Sequence, residues 1–560
     1  ICLLQSTHSK TLSDTVGSES TGDIPLVADR WTNNISYRQL VMSSCVGITQ
    51  LWWHPYLNDL GKLLPFLFLY NVFSIFVGFP LFYLELSLGA VTKKGVLSCW
   101  DLMPVARGVG VAMVLTCALS ALCAGAAGAW SLALLVHSAH AFLPWLHCAA
   151  AAHPACAARH RPLTPDAETP AQSFFFNYVL KLKREGLDGG LGNVVWELTV
   201  YLVISWTLIY FIAVKRIYSY SKLVLFKDML TYLVLACAAL GAARLDGAAE
   251  MFRRCDWTVL YDLQMWREAI EYSLLQLSVG QGSLVMLGAL CPAKRHRLAA
   301  TALLAAGAAQ LACAGGALAL AAVHGALLRD YDADTANMRN GISSSMILWA
   351  DFVARVPGSQ FWSILVFFTL FVLALCSAAL LVQTIISTFT ARSLRKITWA
   401  FLILICFLSC LISIMTLCTQ GGMYILNFLM SWPVSRCRLV TAAASAALVT
   451  YAYGQSAFCE ELYFAVAEYP GVFHRVCWAL SPMLLVCAFL TGTGPGPAPE
   501  PEAGWVLVAL NLLPIAGVML AYFVFKCRVR VCILHNIIIY ILLTHADPSK
   551  GWQKKAKGMQ

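Results

Sequence analysis

The chain has 560 residues, 59% of them hydrophobic and only 12% charged, with a mean hydropathy of +0.70. Soluble proteins carry about 25% charged residues, so this composition excludes a disordered chain, a secreted disulfide scaffold and nearly every soluble enzyme, and points to one polytopic membrane domain. The net charge of +10 does not indicate nucleic acid, because the basic residues sit in short clusters between apolar runs, the pattern of loops retained on the cytoplasmic side.

A helical span needs about 20 mostly apolar residues. On that measure spans are predicted near 38–57, 64–89, 108–143, 194–213, 223–243, 269–290, 299–323, 361–388, 397–418, 423–453, 475–491 and 504–526. The sequence opens without a basic segment, apolar core and small-residue cleavage site, so no cleavable signal peptide is expected and insertion falls to the first spans. The basic clusters Lys93, Lys94 and Arg107, then Lys215, Arg216 and Lys222, then Lys294, Arg295 and Arg297, then Arg392, Arg395 and Lys396 fall in alternate connectors. Placing them in the cytoplasm predicts tails 1–37 and 527–560 inside, a twelve-span domain over 38–526, and external segments at 144–193, 324–360 and 492–503. The apolar stretch Val531–Leu543 is shorter than a span and reads as a membrane-lying tail. Most of the 21 cysteines lie inside apolar stretches and read as small buried hydrophobes.

Two spans are irregular. The first contains Gly47, Thr49, Gln50, His54 and Pro55, the sixth Ser278, Gly280, Gln281, Gly282 and Ser283. Pro removes a backbone donor and Gly weakens a helix, so both are candidates for a mid-membrane break, which is tolerated where it lines a cavity. Corresponding breaks in two five-span repeats are a pointer to a transporter site; the alternative is two kinked helices packed through small residues. Runs rich in Ala at 121–129, 299–322 and 441–448 read as helix interfaces. Glu85 is ionisable within an apolar span and is a functional candidate on that ground. His147, Cys148, His153, Cys156 and His160 admit a zinc-cluster reading. The glycines Gly186, Gly189, Gly190 and Gly192 resemble a phosphate loop, but no strand precedes them. The sequon Asn34-Ile35-Ser36 falls on the predicted cytoplasmic side, where it would go unused.

Several motifs carry a family resemblance. Val46-Gly47-Ile48-Thr49-Gln50-Leu51-Trp52-Trp53-His54-Pro55-Tyr56 resembles the first-span signature V-G-L-G-N-V-W-R-F-P-Y of the neurotransmitter:sodium symporters, solute carrier family six. The segment Val77–Gly89 resembles the family's second-span G-I-P-L-F-F-L-E-x-x-L-G. Cys99-Trp100 with Pro104, Gly108-Val109-Gly110, Pro144-Trp145, Thr169-Pro170, Trp196, Ser278–Gly282, Gly421-Gly422-Met423-Tyr424 and Tyr453-Gly454 follow in collinear order, so the likeness covers about residues 30–525. It implies an all-α leucine-transporter-type fold with 12 transmembrane helices, two inverted five-helix repeats and a mid-membrane site. It also implies a plasma-membrane protein working in the lipid bilayer on a small-molecule substrate, with no nucleic-acid partner. Cys148 and Cys156 match the family's external-loop disulfide.

The resemblance carries roles over position by position. Substrate contacts correspond to Gly47, Ala124, Ser278, Gly280 and Gly282. Gly47 stands where monoamine carriers have Asp and amino-acid carriers have Gly. The first sodium site corresponds to Cys45, Gln50 and Gln276; here Gln50 replaces the family's Asn and Gln276 its Ser or Thr. The seventh-span Asn is replaced near Ala306 or Gly307. The second sodium site corresponds to the carbonyls of Ser43, Val46 and Leu373 with Cys376 and Ser377, Cys376 standing at an Asp or Thr position. A thiol is a soft ligand poorly matched to hard Na⁺. The chloride pocket is matched at Tyr70, while its sixth-span Gln aligns with Tyr272. The outer gate pair reads Trp53 and Met430, the third-span lid tyrosine reads Ala124, and the inner eighth-span acids read Gln383 and Ala391. In the family, the residue matching Glu85 braces the unwound segments; a proton-coupling role is the other reading. The leading expectation is therefore a divergent secondary active symporter of an amino-acid-like solute, with sodium coupling reduced or absent and chloride binding eroded. The alternative is a non-transporting relative serving as sensor, chaperone or assembly partner. No nucleophile–base pair or closed metal set argues for an enzyme.

Overall fold

The computed structural model describes residues 34–524 apart from 141, 149–155, 158–167, 185, 188–189, 215–216, 246–248, 250–251, 293–296, 332–341, 390–394 and 492–503. The predicted C-terminal tail with Val531–Leu543, almost all of the N-terminal tail, His153, His160, Gly189, Ala391 and several of the basic residues lie outside that set.

Among the described residues the regular structure is helical, with two isolated bridges, Cys156 to Glu168 and Val194 to Thr419. Nine of these helices are long and apolar enough to cross a bilayer: Leu60–Thr92, Pro104–Ser138, Trp196–Val214, Tyr220–Ala243, Leu298–Asp330, Ser359–Thr388, Trp399–Leu417, Val472–Leu490 and Gly504–Val524. The three other predicted spans come in pieces, each too short to cross alone. Span one is Asn34–Cys45 and Thr49–Trp52, and span six is Leu263–Gln276 and Ser283–Ala289. Span ten, predicted as one helix over 423–453, runs through Gly422–Leu429, a π-helical turn at Met430–Val434, Ser435–Ala447 and a second π stretch at Leu448–Gly454. Pro433 sits in the first of these wide turns; lacking an N–H, it cannot keep the regular ladder.

Span three stops at Ser138 rather than 143. The following residues turn back so that Leu143 and Trp145 are buried, Trp145 packing edge-on to Phe367 at 5.6 Å. Spans three, seven and eight form the centre, with 72%, 78% and 78% of their apolar windows buried, whereas spans nine and twelve, at 22% and 11%, lie on the periphery. Span two and the second half of span six touch through backbone. A Cβ on Gly89 would lie 2.0 Å from the Val285 carbonyl oxygen, and one on Gly288 2.1 Å from that of Leu86, the close approach that small residues permit in a membrane.

The connectors gather at two ends. Lys93 Nζ donates to the Cys291 carbonyl (2.6 Å), tying the loop after span two to the loop after span six. In the same region Asp101 pairs with Lys94 (3.1 Å) and Arg107 (2.7 Å). Partial burial opposes its charge, but these bonds and charges prevail and hold its carboxyl below the usual range. At the other end the Val195 N–H donates to the Cys418 carbonyl (2.8 Å) and Gln360 Nε2 to that of His140 (2.9 Å). There Cys148 and Cys156 are disulfide-bonded, with Cα atoms 6.0 Å apart. His147 is exposed, and among the described residues no three His, Cys, Asp or Glu side chains converge as a metal site.

Candidate functional site

Where a helix ends, its last carbonyls lose their intrahelical partners and must find others. Both breaks face one cavity between spans one, three, six, eight and ten. Its lining includes Gly47, Thr49, Ser120, Ala124, Ser278, Gln281, Ser377, Met430 and Arg438. Of the five expected substrate contacts, Gly47, Ala124 and Ser278 line this cavity. Gly280 and Gly282 instead shape the break: both have φ of +82°, and Cβ atoms there would lie 2.8 Å from the Arg438 carbonyl and 2.6 Å from Val96. Ser278 adopts φ of 57°, a left-handed conformation uncommon outside glycine. A Cβ on Gly47 would lie 2.7 Å from Ser377 Oγ, so a side chain there must displace that hydroxyl and its bond to the Ile48 N–H.

Glu85 is buried and its Oε1 accepts a bond from the Gly280 N–H (2.8 Å), bracing the break in span six. Thr441 Oγ1 donates to the Gly280 carbonyl (2.8 Å), so span ten holds the same residue from the other side.

At the residues expected for the first sodium site the chain's own amides take up the carbonyls, whereas the buried Gln276 Oε1 has no hydrogen-bond partner among the described residues. Gln50 Nε2 donates to the Cys45 carbonyl (2.7 Å) and to the Gln276 carbonyl (2.7 Å). Gln50 Oε1 accepts from the Gly47 N–H (2.7 Å) and Thr49 Oγ1 (3.2 Å), and Gln276 Nε2 donates to the Thr49 carbonyl (3.2 Å). The Cys45 oxygen, a candidate ligand, thus faces an N–H donor, which does not fit a cation between them.

At the second site Lys227 of span five donates from Nζ to the Ser43 carbonyl (2.6 Å) and to the Val46 carbonyl. Asp228 Oδ1 lies 3.0 Å from the same Nζ, and Asp228 Oδ2 accepts from Ser43 Oγ. Ser377 Oγ accepts from the Ile48 N–H (3.1 Å), and the Cys376 carbonyl from Tyr220 Oη (2.9 Å). Leu373 and the Cys376 thiol are buried beside them. The carbonyls of Cys45, Ser43 and Val46, expected as sodium ligands, therefore all accept from side-chain N–H groups.

At the position expected for chloride, Tyr272 packs against Tyr70. Its ring lies 4.9 Å from that of Tyr70, its hydroxyl donates to the Trp53 carbonyl (2.9 Å), and His54 Nδ1 (2.9 Å) and Cys313 Sγ (3.1 Å) approach the same oxygen. Trp53 packs edge-on to Tyr272 at 6.1 Å, and Met430 faces the cavity. Gln383 is buried on span eight.

Sequence reasoning missed Arg436, buried against Glu271 (3.3 Å), and two buried cations at the helix breaks. Arg438 is 3% exposed and lines the cavity. Its Nη2 donates to Ser120 Oγ (3.0 Å) and Gln281 Oε1 (2.5 Å), whereas Nε and Nη1 have no hydrogen-bond partner among the described residues. Lys227 is the other. The signal was present in both cases, an ionisable residue inside an apolar span, the criterion applied to Glu85.

The model of the Sodium:neurotransmitter symporter family matches residues 28–540. The "Sodium- and chloride-dependent neutral and basic amino acid transporter B(0+)" of Mus musculus is 25% identical over 509 residues, covering 82% of this chain and 78% of the relative. The "Creatine transporter" of Torpedo marmorata is 26% identical over 483 residues, with the same coverage of each. The "Sodium-dependent nutrient amino acid transporter 1" of Drosophila virilis is 25% identical over 498 residues, covering 82% and 76%. The unwound spans one and six and the match along nearly the whole chain agree: this protein belongs to the sodium:neurotransmitter symporter family, a family of transporters with the leucine-transporter-type fold.

Proposed function

We propose that the chain carries a small amino-acid-like solute across the bilayer by alternating access and that Arg438 receives the solute's carboxylate. The observation that carries this reading is the guanidinium itself: buried, lining the cavity at the two helix breaks, with Nε and Nη1 unpartnered. A buried charge is retained when something pairs with it, and Arg presents a planar fork suited to a carboxylate. The relatives named for amino acids and creatine, both carboxylate-bearing solutes, support the same class. Gly47 supports it from the other side, because the position offers no acid to pair with a monoamine and a side chain there would first have to displace Ser377 Oγ. Glu85 takes the bracing role, through its bond to Gly280. Both termini face the cytoplasm, following the basic clusters.

The test is uptake into proteoliposomes of labelled amino acids set against the matching decarboxylated amines. Uptake confined to the carboxylates, and lost by at least about tenfold in Arg438→Gln, is expected, since a hydrogen bond to a charged group contributes about 1.5–3 kcal/mol. Equal uptake of the amines would overturn the assignment of Arg438. A second reading, a non-transporting relative, is favoured by one observation: backbone carbonyls expected at both sodium positions, those of Cys45, Ser43 and Val46, already accept from Gln50 and Lys227. No uptake of any solute by folded protein would select it.

A further inference from the structure

We propose that the ammonium of Lys227 is a built-in replacement for the second sodium ion, so that this chain holds the break in span one without a bound cation from solution. This is independent of whether a solute is carried.

Span one unwinds after Cys45, and the carbonyls of Ser43 and Val46 are turned out of the ladder. An oxygen cluster of this kind in a membrane interior requires a cation or donors. Lys227 supplies both, a positive charge on three N–H groups. Two point to those carbonyls, and the neighbouring Asp228 carboxylate lies 3.0 Å from the same nitrogen. Asp228 in turn fixes Ser43 through its hydroxyl, so span five clamps span one by charge and by hydrogen bonds at one turn of helix.

The rest of the pocket agrees. The thiols of Cys45 and Cys376 are buried there, Tyr220 bonds the Cys376 carbonyl, and Ser377 Oγ is engaged by the Ile48 N–H. Lys227 itself is only 2% exposed. A sodium ion and an ammonium cannot share the two carbonyls, because two like charges at contact distance repel strongly in a medium of low dielectric. Tethering changes the thermodynamics of the break. A dissolved ion stabilises a site in proportion to the logarithm of its concentration, whereas a side chain occupies it at every salt composition.

The experiment is thermal unfolding of the purified full chain in lipid nanodiscs, in sodium chloride and in choline chloride at matched ionic strength. The wild type is expected to melt at the same temperature in both salts. Lys227→Ala is expected to melt several degrees lower in choline, and the double variant Lys227→Ala/Cys376→Thr, which restores a hydroxyl ligand, to recover part of that loss in sodium only. A saturable rise of the wild-type melting temperature with sodium would overturn the proposal. So would a Lys227→Ala chain as stable as the wild type in choline, or a double variant that loses stability equally in both salts. Should the lysine variants fail to fold, binding of radiolabelled sodium to the wild type decides alone: none is expected, and saturable binding displaced by unlabelled sodium but not choline overturns it.

Discussion

Gln50 shows how much one methylene group decides. Its amide reaches back to the Cys45 carbonyl and across to Gln276, while its own oxygen closes on the Gly47 N–H. Replacing it by Ala strips four contacts, two of them from buried carbonyls. With each unsatisfied group costing about 1–3 kcal/mol, Gln50→Ala should lower stability by about 3 kcal/mol or more, measured by denaturant or thermal unfolding in nanodiscs. A loss below about 0.5 kcal/mol would mean that this amide is not the organiser of the break. Gly47→Asp is expected to be worse tolerated than Gly47→Ala, since even a Cβ comes within 2.7 Å of Ser377 Oγ and overpacking costs about 1–3 kcal/mol. The yields of folded, monodisperse protein from the two variants check the order. The sequence made Gly47, Gln50 and Glu85 visible because each sits inside a motif. Arg438 and Lys227 are equally informative, yet their partners lie 157 residues away at Gln281 and 184 away at Ser43, a distance no local pattern spans.

At the scale of helices, what was legible was what backbone chemistry dictates. Gly and Pro marked the breaks in spans one and six, and long apolar runs marked the nine continuous spans. The π stretches of span ten were not legible, because a widened turn leaves the same apolar composition and only Pro433 hinted at one. The contact between span two and span six is a sharper case, since glycines 89 and 288 look ordinary in sequence and prove to be where two backbones meet. Gly288→Leu should therefore abolish the folded state, while Gly307→Leu, at a position with open space, should leave it intact; size-exclusion profiles after membrane extraction distinguish the two. The Cys148–Cys156 bridge closes a segment of sequence separation 8. Its removal in Cys148→Ser/Cys156→Ser should cost about 2–3 kcal/mol, the loop-closure term for so short a ring, read as a melting shift absent when the wild type is pre-reduced.

Across the whole molecule, charge placement and the site lead to one picture. The loops after spans two and six meet at one end, where Lys93 reaches Cys291, and the disulfide lies at the other, with the cavity lined by the spans that cross between them. At the positions expected for sodium, Gln50 and Lys227 hold the carbonyls of Cys45, Gln276, Ser43 and Val46. That makes sodium dependence the property on which the account stands most exposed. The most direct measurement is uptake of a pooled set of labelled amino acids into proteoliposomes, with a sodium gradient and then with choline in its place. The account predicts carboxylate-dependent uptake of equal rate in both, lost in Arg438→Gln. Uptake that requires sodium would contradict it.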